Sequence, residues 1–285
     1  MAVRRVLVGL ICFWGSISTH AQDALVRLSG CMLNDSSFER RKTCGAAFEK
    51  VLDSLLAEAD GWNYPLDTIR NISALTSSDN AFRIITWNIP HDDGTFEFKG
   101  RIRLANKGSE SGKTMRLNDA RTSMNKPLTK QLTADNWYGA LYYKLIRTKH
   151  KRKTFYTLLG WNGNTALSNQ KIIDVLQVSK DGRISFGAPI FEDVKGLKHR
   201  IILEYAEQAA VSLRYLENDA VVVFDHLVPT NPAFEGQFAF YSSDFSNDAY
   251  RFEKGRWKFM RNYAAKNERD FRPEDFKKPE KGIRR

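Results

Sequence analysis

The sequence predicts a mainly β protein: an antiparallel sandwich or twisted meander of about eleven strands, preceded by a helical element. From residue 82 onward, apolar and polar residues alternate with the period of a β-strand, as in TFEFKGRIRL at residues 95–104. Turn-forming pairs such as Asp-Gly separate these stretches, which is typical of hairpins. No helical stretches alternate with the strands, so a parallel doubly wound sheet is disfavoured. A small β-propeller is the alternative, although no fixed-period repeat supports it.

Residues 1–21 have the pattern of an export signal. Two arginines precede an apolar run at residues 6–18, and the small residues Thr19 and Ala21 suit cleavage before Gln22. The apolar run is too short to span a bilayer, so a membrane anchor is disfavoured. We therefore expect a periplasmic or secreted protein with no transmembrane segment after cleavage.

Cleavage at this point would leave two cysteines, Cys31 and Cys44. An even pair in an oxidising compartment predicts a disulfide, with two free buried thiols as the alternative. Residues 28–31 also resemble a bacterial lipobox, which would acylate Cys31. The charged residues Asp23 and Arg27 lie between the apolar run and this motif, so lipidation is the lesser alternative.

The rest of the chain divides into a domain and a tail. Residues 22–265 are long enough for a single β-rich domain with a substantial core. Apolar residues recur every four positions near residues 44–60, which predicts an N-terminal amphipathic helix. Residues 266–285 combine eight basic and five acidic residues with little apolar content, which predicts a solvated basic tail.

The strand-like stretches follow in order, with a polar connection at residues 105–134. Asp-Gly pairs join the first to the second and the fifth to the sixth, and Lys254-Gly255 turns the last pair. In chain order the stretches are residues 82–89, 95–104, 137–146, 155–161, 171–178, 183–191, 199–206, 210–217, 220–228 and 234–243, with a final pair within 250–260.

The positive charge of the chain is concentrated in one segment. Residues 99–153 contain 15 Lys or Arg and three acids, whereas the remainder, with 29 basic and 30 acidic residues, is close to neutral. A clustered basic surface attracts anions, so we predict contact with an anionic glycan or an envelope lipid surface. No nucleic-acid-binding module accompanies the charge, which disfavours nucleic acid. The contact candidates are Lys149, Lys151, Arg152 and Lys153, and a merely solvated hairpin tip is the alternative.

The pattern GWNGN, at residues 160–164, offers a second binding candidate. Trp161 beside Asn162 and Asn164 could stack on a sugar ring and hydrogen-bond to it. The pattern also lies between two predicted strands, and Asn-Gly is a common turn former. We favour the turn, and retain the sugar contact as the functional alternative.

Catalytic and metal-binding patterns are weak. Asp225 and His226 are an acid–base pair by composition, but neighbours on a strand point to opposite faces, so Asp225 would not orient the imidazole. No nucleophile elbow, HExxH, CxxC, phosphate loop or dinucleotide fingerprint is present, and no cofactor is predicted. No metal site is predicted either, and its weak candidates are Asp244, Asn247 and Asp248.

Several phrases resemble uncharacterised exported proteins of Bacteroidetes bacteria. These include AFRIITWNI, YTLLGWNGN, VVVFDHLVP and FEGQFAFYSSD, within roughly residues 75 to 260. The resemblance implies a β-rich fold and an envelope or secreted setting, and it supplies no catalytic residue.

We therefore predict an exported, non-catalytic binding or envelope-associated protein. Two alternatives are a structural subunit of an envelope assembly and a hydrolase of envelope polysaccharide or peptide. The hydrolase would use carboxylates from separate loops, chosen among Asp79, Asp174, Glu204, Asp225 and Asp244.

Overall fold

The computed structural model describes residues 9–106, 112–194 and 196–265. Two α-helices come first in these ranges, α1 (Gly9–Asn34) and α2 (Phe38–Ala57). The described strands are β1 (Ser73–Thr76), β2 (Phe82–Pro90), β3 (Phe96–Leu104), β4 (Thr114–Asn118), β5 (Leu141–His150), β6 (Lys153–Asn162), β7 (Ser168–Val178), β8 (Ile184–Phe186), β9 (Phe191–Asp193), β10 (Gly196–Lys198), β11 (Ile201–Ala206), β12 (Leu213–Leu216), β13 (Val221–Pro229), β14 (Tyr241–Glu253) and β15 (Arg256–Met260). Within these ranges, no helix combines the length and the apolar character that a membrane crossing needs.

The described strands form three sheets. The N-terminal sheet has the order β1-β2-β3-β4, and the central sheet has the order β11-β7-β6-β5, with β8 also paired to β7. The C-terminal sheet has the order β10-β9-β15-β14-β13-β12. Neighbouring strands are antiparallel except β15 and β9, which are parallel. The chain thus builds each sheet mainly from local hairpins.

The central sheet packs between the other two. Leu158 of β6 belongs to a core shared with Ile84 of the N-terminal sheet. The next residue, Leu159, belongs to a second core shared with Val222 of the C-terminal sheet. Successive residues of a strand point to opposite faces, so this continuous apolar run is buried on both sides.

The predicted fold class is confirmed: the protein is mainly β and mostly antiparallel, with a helical N-terminal element. The described strands number fifteen instead of about eleven, because β1, β4 and β10 are too short to show an alternation. In addition, Gly187, with φ of 82°, divides the stretch 183–191 into β8 and β9. Three sheets in the described residues are fewer than the blades of a propeller, so the propeller alternative does not apply.

The helical element is longer than predicted. Helix α2 begins at Phe38 and ends at Ala57, whereas the prediction placed it near residues 44–60. Helix α1 continues to Asn34, well past the predicted signal, and the predicted disulfide between Cys31 and Cys44 joins it to α2. Of the predicted signal, residues 1–8 lie outside the described ranges, as does the whole predicted tail at 266–285.

One strand prediction was wrong. One short 3-10 helix, Pro232–Phe234, ends where the stretch 234–243 begins, and a second, Phe238–Phe240, lies within it. Strand β14 begins only at Tyr241. Gly236 has φ of 81°, which favours a turn over an extended strand. Strand β14 instead continues through residues 242–250, the segment that contains the weak metal candidates Asp244, Asn247 and Asp248.

Arg101 of β3 attaches helix α2 to the N-terminal sheet. The side chain is almost fully buried and donates from Nε to Asp53 over 2.6 Å and from Nη2 to Glu49 over 2.8 Å. Its guanidinium also lies 5.5 Å from the centre of the Trp87 ring. Arg116 contacts the same Glu49 at 3.1 Å, but 57% of its side chain is exposed. The two arginines therefore differ mainly in burial.

This difference predicts unequal losses of stability. We expect Arg101→Ala to lower the free energy of unfolding by about 3–5 kcal/mol, because it leaves Glu49 and Asp53 without their buried partner. The matched variant Arg116→Ala should cost less than about 1 kcal/mol, because exposed ion pairs contribute little. Urea unfolding followed by circular dichroism measures both values, and equal losses would contradict the role assigned to Arg101.

Candidate functional site

The β5–β6 hairpin ends in a compact cationic tip. His150 pairs with Lys153 across the sheet, which leaves Lys151 and Arg152 as the turn. Lys151 adopts φ of 54°. The side chains of Lys149, Lys151, Arg152 and Lys153 are all exposed. The predicted hairpin tip is therefore present, and its four cations are open to solvent.

Much of the remaining positive charge in this segment is neutralised by acidic residues. Lys99 pairs with Glu97 at 2.5 Å, and Arg147 pairs with Asp79 at 2.7 Å. Arg101, Arg116, Arg121 and Lys144 also have carboxylate partners. By contrast, no carboxylate in the described residues lies within 4.0 Å of the four tip cations. The tip is therefore a compact group of four cations that have no acidic partner among the described residues.

A second turn lies against the first. A methyl group placed on Gly255 would come within 2.7 Å of the His150 ring, so the β14–β15 turn packs against the β5–β6 hairpin. Lys254 precedes this glycine in the turn, is exposed, and has φ of 49°. We call the combined region the basic hairpin surface, and its members are Lys149, Lys151, Arg152, Lys153 and Lys254.

The GWNGN pattern is a strand end followed by a turn, as predicted. Asn162 is the last residue of β6 and is fully buried. Its amide donates to the carbonyl of Gly139 and accepts from the guanidinium of Arg121. Trp161 packs edge-to-face on Phe96, with ring centres 5.2 Å apart. Both side chains thus have a packing role in the structure.

Asn164 lies in the turn that follows. Its amide donates to Ser168 over 3.0 Å and to Glu204 over 3.1 Å. The side chain also lines a shallow cleft of about 390 Å³, together with Asp119 and Arg121. Burial raises the pKa of Asp119, although the neighbouring Arg121 opposes the rise. Of the three GWNGN candidates, Asn164 is the one that lines this cleft.

A different cleft, of about 330 Å³, separates the edge of the central sheet from the C-terminal sheet. Strands β11, β13 and β14 supply most of its walls. Its apolar part includes Ile201, Leu203 and Phe259, and its polar part includes Lys198. The other charged or polar lining residues are Asp193, Asp225, His226, Asp248 and Tyr250. A volume of this size suits a small ligand.

His226 in this cleft is held by a buried carboxylate. Its Nδ1 donates to Oδ2 of Asp248 over 2.7 Å, and the Asp248 side chain is 5% exposed. The other oxygen of Asp248 accepts from the backbone N–H of Asn262 over 3.1 Å. The imidazole is 26% exposed, and its Nε2 has no hydrogen-bond partner in the described residues. The ring is thus fixed at one nitrogen and open at the other.

An irregularity in β14 lies opposite His226. Asp225 pairs with Asn247 and Leu227 pairs with Ser243, so His226 alone faces three residues of the neighbouring strand. The middle one, Phe245, has φ of 68° and is almost fully exposed. Such bulges change the direction in which nearby side chains point and are frequent next to active sites.

Asp225 does not orient the imidazole of its neighbour His226, as the alternation of side chains along a strand predicts. Asp225 accepts from the backbone N–H of Ser212 over 3.0 Å and does not contact the imidazole. The partner, Asp248, is 22 residues away on the adjacent strand. The pairing of β13 with β14 would have revealed it. A strand at residues 234–243, as the sequence predicts, would not bring Asp248 next to His226.

The five carboxylates proposed for a hydrolase are dispersed. Only Asp225 lines the cleft that contains His226. Asp79 pairs with Arg147, and Asp174 pairs with Arg200 at 3.1 Å in a fully buried contact. Glu204 accepts from Ser168 over 2.8 Å, and Asp244 accepts from Ser246 within the β14 bulge.

The three weak metal candidates have separate roles. Asp248 binds His226, Asp244 bonds to Ser246 within its own bulge, and the carbonyl of Asn247 accepts from Tyr263. In the described part of the chain, no three His, Cys, Asp or Glu side chains come together in a group that could hold a metal ion.

Comparison of the chain with protein-family models, with curated proteins and with solved structures finds no significant match. The geometry of the basic hairpin surface and of the cleft is therefore the basis for the functional proposals.

The buried position of Asn162 leads to a stability prediction. Asn162→Ala should lower the free energy of unfolding by about 1–3 kcal/mol, because it leaves the Gly139 carbonyl and Arg121 without their partner. The matched variant Asn164→Ala, in the partly exposed turn, should cost about 0.5–1.5 kcal/mol. Thermal and urea denaturation measure both losses, and a larger loss for Asn164→Ala would reverse the ranking.

Proposed function

We propose that the protein is an exported binding protein whose basic hairpin surface contacts an anionic glycan or the anionic lipid face of a cell envelope. The observation that carries this proposal is the distribution of charge. Six of the fifteen basic side chains of residues 99–153 have acidic partners, whereas the four tip cations have none among the described residues. These cations are free to pair with an external anion.

The arrangement of the two turns favours a surface over a small ligand. Five exposed cations lie in or next to two adjacent turns, whereas a small-molecule site is normally a concave, mostly apolar pocket. A patch of one sign raises the local concentration of a polyanion and accelerates its association. The attraction acts over about a Debye length, roughly 10 Å at 0.1 M salt, so it depends strongly on ionic strength.

Two other features support an exported setting. Residues 1–21 have the pattern of an export signal, and the Cys31–Cys44 disulfide is compatible with an oxidising compartment. The resemblance to exported Bacteroidetes proteins points to the same setting. An extracellular or periplasmic location would expose the basic hairpin surface to acidic polysaccharides and phospholipids, and would keep it from most nucleic acid.

The proposal predicts a loss of binding when the tip is neutralised. The tip variant combines four substitutions: Lys149→Gln, Lys151→Gln, Arg152→Gln and Lys153→Gln. We expect this variant to elute from heparin-agarose at a clearly lower NaCl concentration than the wild-type protein does. The reason is that each removed cation removes one ion contact to the polymer. Vesicles of phosphatidylglycerol and phosphatidylcholine, tested by co-sedimentation, separate lipid binding from glycan binding.

A matched control variant loses the same four positive charges at scattered sites on the surface. It replaces the exposed residues Lys42, Lys50, Arg70 and Lys180 with glutamine. If this control elutes as early as the tip variant, net charge and not the basic hairpin surface is responsible. The proposal fails if the tip variant elutes from heparin-agarose with the wild-type protein and also co-sediments with the vesicles as the wild-type protein does.

A further inference from the structure

The cleft between β11 and β14 has the construction of a hydrolytic site, independently of the basic hairpin surface. Three separate observations coincide there. The cavity has a ligand-sized volume, the imidazole of His226 is fixed through Nδ1 by the buried Asp248, and the β14 bulge lies directly opposite that imidazole. A buried carboxylate that accepts from Nδ1 selects the tautomer in which Nε2 carries a free lone pair.

We propose that His226 is a general base that activates water for the hydrolysis of a neutral carboxylic ester. Water gives a proton to Nε2 while its oxygen bonds to the ester carbonyl carbon. The tetrahedral intermediate then breaks the bond between that carbon and the alcohol oxygen, and the leaving oxygen takes the proton from Nε2. One water is consumed, and one carboxylic acid and one alcohol are formed.

The lining of the cleft selects the substrate class. Lys198 is the only Lys or Arg among the described lining residues, and it is paired with Asp193 at 2.5 Å. Asp225 and Asp248 add negative charge, so an anionic substrate such as a phosphodiester is repelled. The apolar side of the cleft suits an aliphatic acyl group.

Asp248 is a positioning residue in this scheme. It does not reach the substrate, and it acts by holding the orientation and tautomer of His226. Apart from Lys198, which is paired with Asp193, the other titratable groups near the imidazole are acidic or neutral. Asp193, Asp225 and Asp244 are carboxylates, and the hydroxyl of Tyr250 stays protonated because burial, together with Asp193 and Asp248, raises its pKa.

The test uses the full chain with 4-nitrophenyl butyrate as a neutral ester and bis(4-nitrophenyl) phosphate as an anionic probe. We expect hydrolysis of the ester only, and a loss of about 10²–10⁴-fold in kcat for His226→Gln. Asp248→Asn should lower kcat while KM stays near the wild-type value. His150→Gln, in the β5–β6 hairpin and outside the cleft, should keep wild-type activity.

The proposal is overturned if wild type hydrolyses the ester no faster than His226→Gln or no faster than buffer. A measurement on wild type alone guards against misfolding of the variants: general-base catalysis makes the reaction slower in D₂O than in H₂O. Equal rates in the two solvents would also overturn the proposal. Retention on heparin-agarose tests the basic hairpin surface separately, so the two proposals can fail independently.

Discussion

The burial of the central sheet on both faces is the constraint on which the rest of the structure depends. A strand covered on both sides cannot leave a polar group unpaired without a cost of about 1–3 kcal/mol. Thr157 and Asp174, two fully buried polar residues of this sheet, have specific partners. Thr157 accepts from the indole N–H of Trp257 over 2.9 Å, and Asp174 pairs with Arg200. These contacts join the central sheet to the C-terminal sheet and to the loop at residues 127–130.

The same constraint determines where binding and chemistry can occur. Side chains in the middle of the central sheet are buried in the cores on either side of it. Functional groups therefore lie where the sheets end or separate. The basic hairpin surface is formed by turns at the ends of strands. The His226 cleft lies between β11, the edge strand of the central sheet, and the C-terminal sheet. The scaffold is rigid because three sheets and two helices share contiguous cores. Such a scaffold can hold an imidazole or a charged turn in a fixed place.

The sequence predicted those features that depend on neighbouring residues. Alternation identified β2 and β3 closely, Lys254-Gly255 marked a real turn, and the export pattern together with the cysteine count pointed to the disulfide. Features that depend on which strands become neighbours were not predictable in this way. The pairing of His226 with Asp248 follows from the register of β13 and β14. The ion pairs of Arg101 follow from the docking of helix α2 on the N-terminal sheet. Its partner Asp53, for example, lies 48 residues earlier in the chain. Residue spacing contains neither piece of information.

The disulfide between Cys31 and Cys44 has a consequence for the integrity of the N-terminal layer. The two cysteines flank the connection between α1 and α2, which includes the exposed residues Ser36 and Ser37. A proteolytic cut in that connection would not release α1, because the bond keeps both fragments in one covalent molecule. The buried side chains Leu25 and Met32 of α1 would stay against α2, and the cover over the N-terminal sheet would persist. In an environment rich in proteases, the layer would come apart only after reduction.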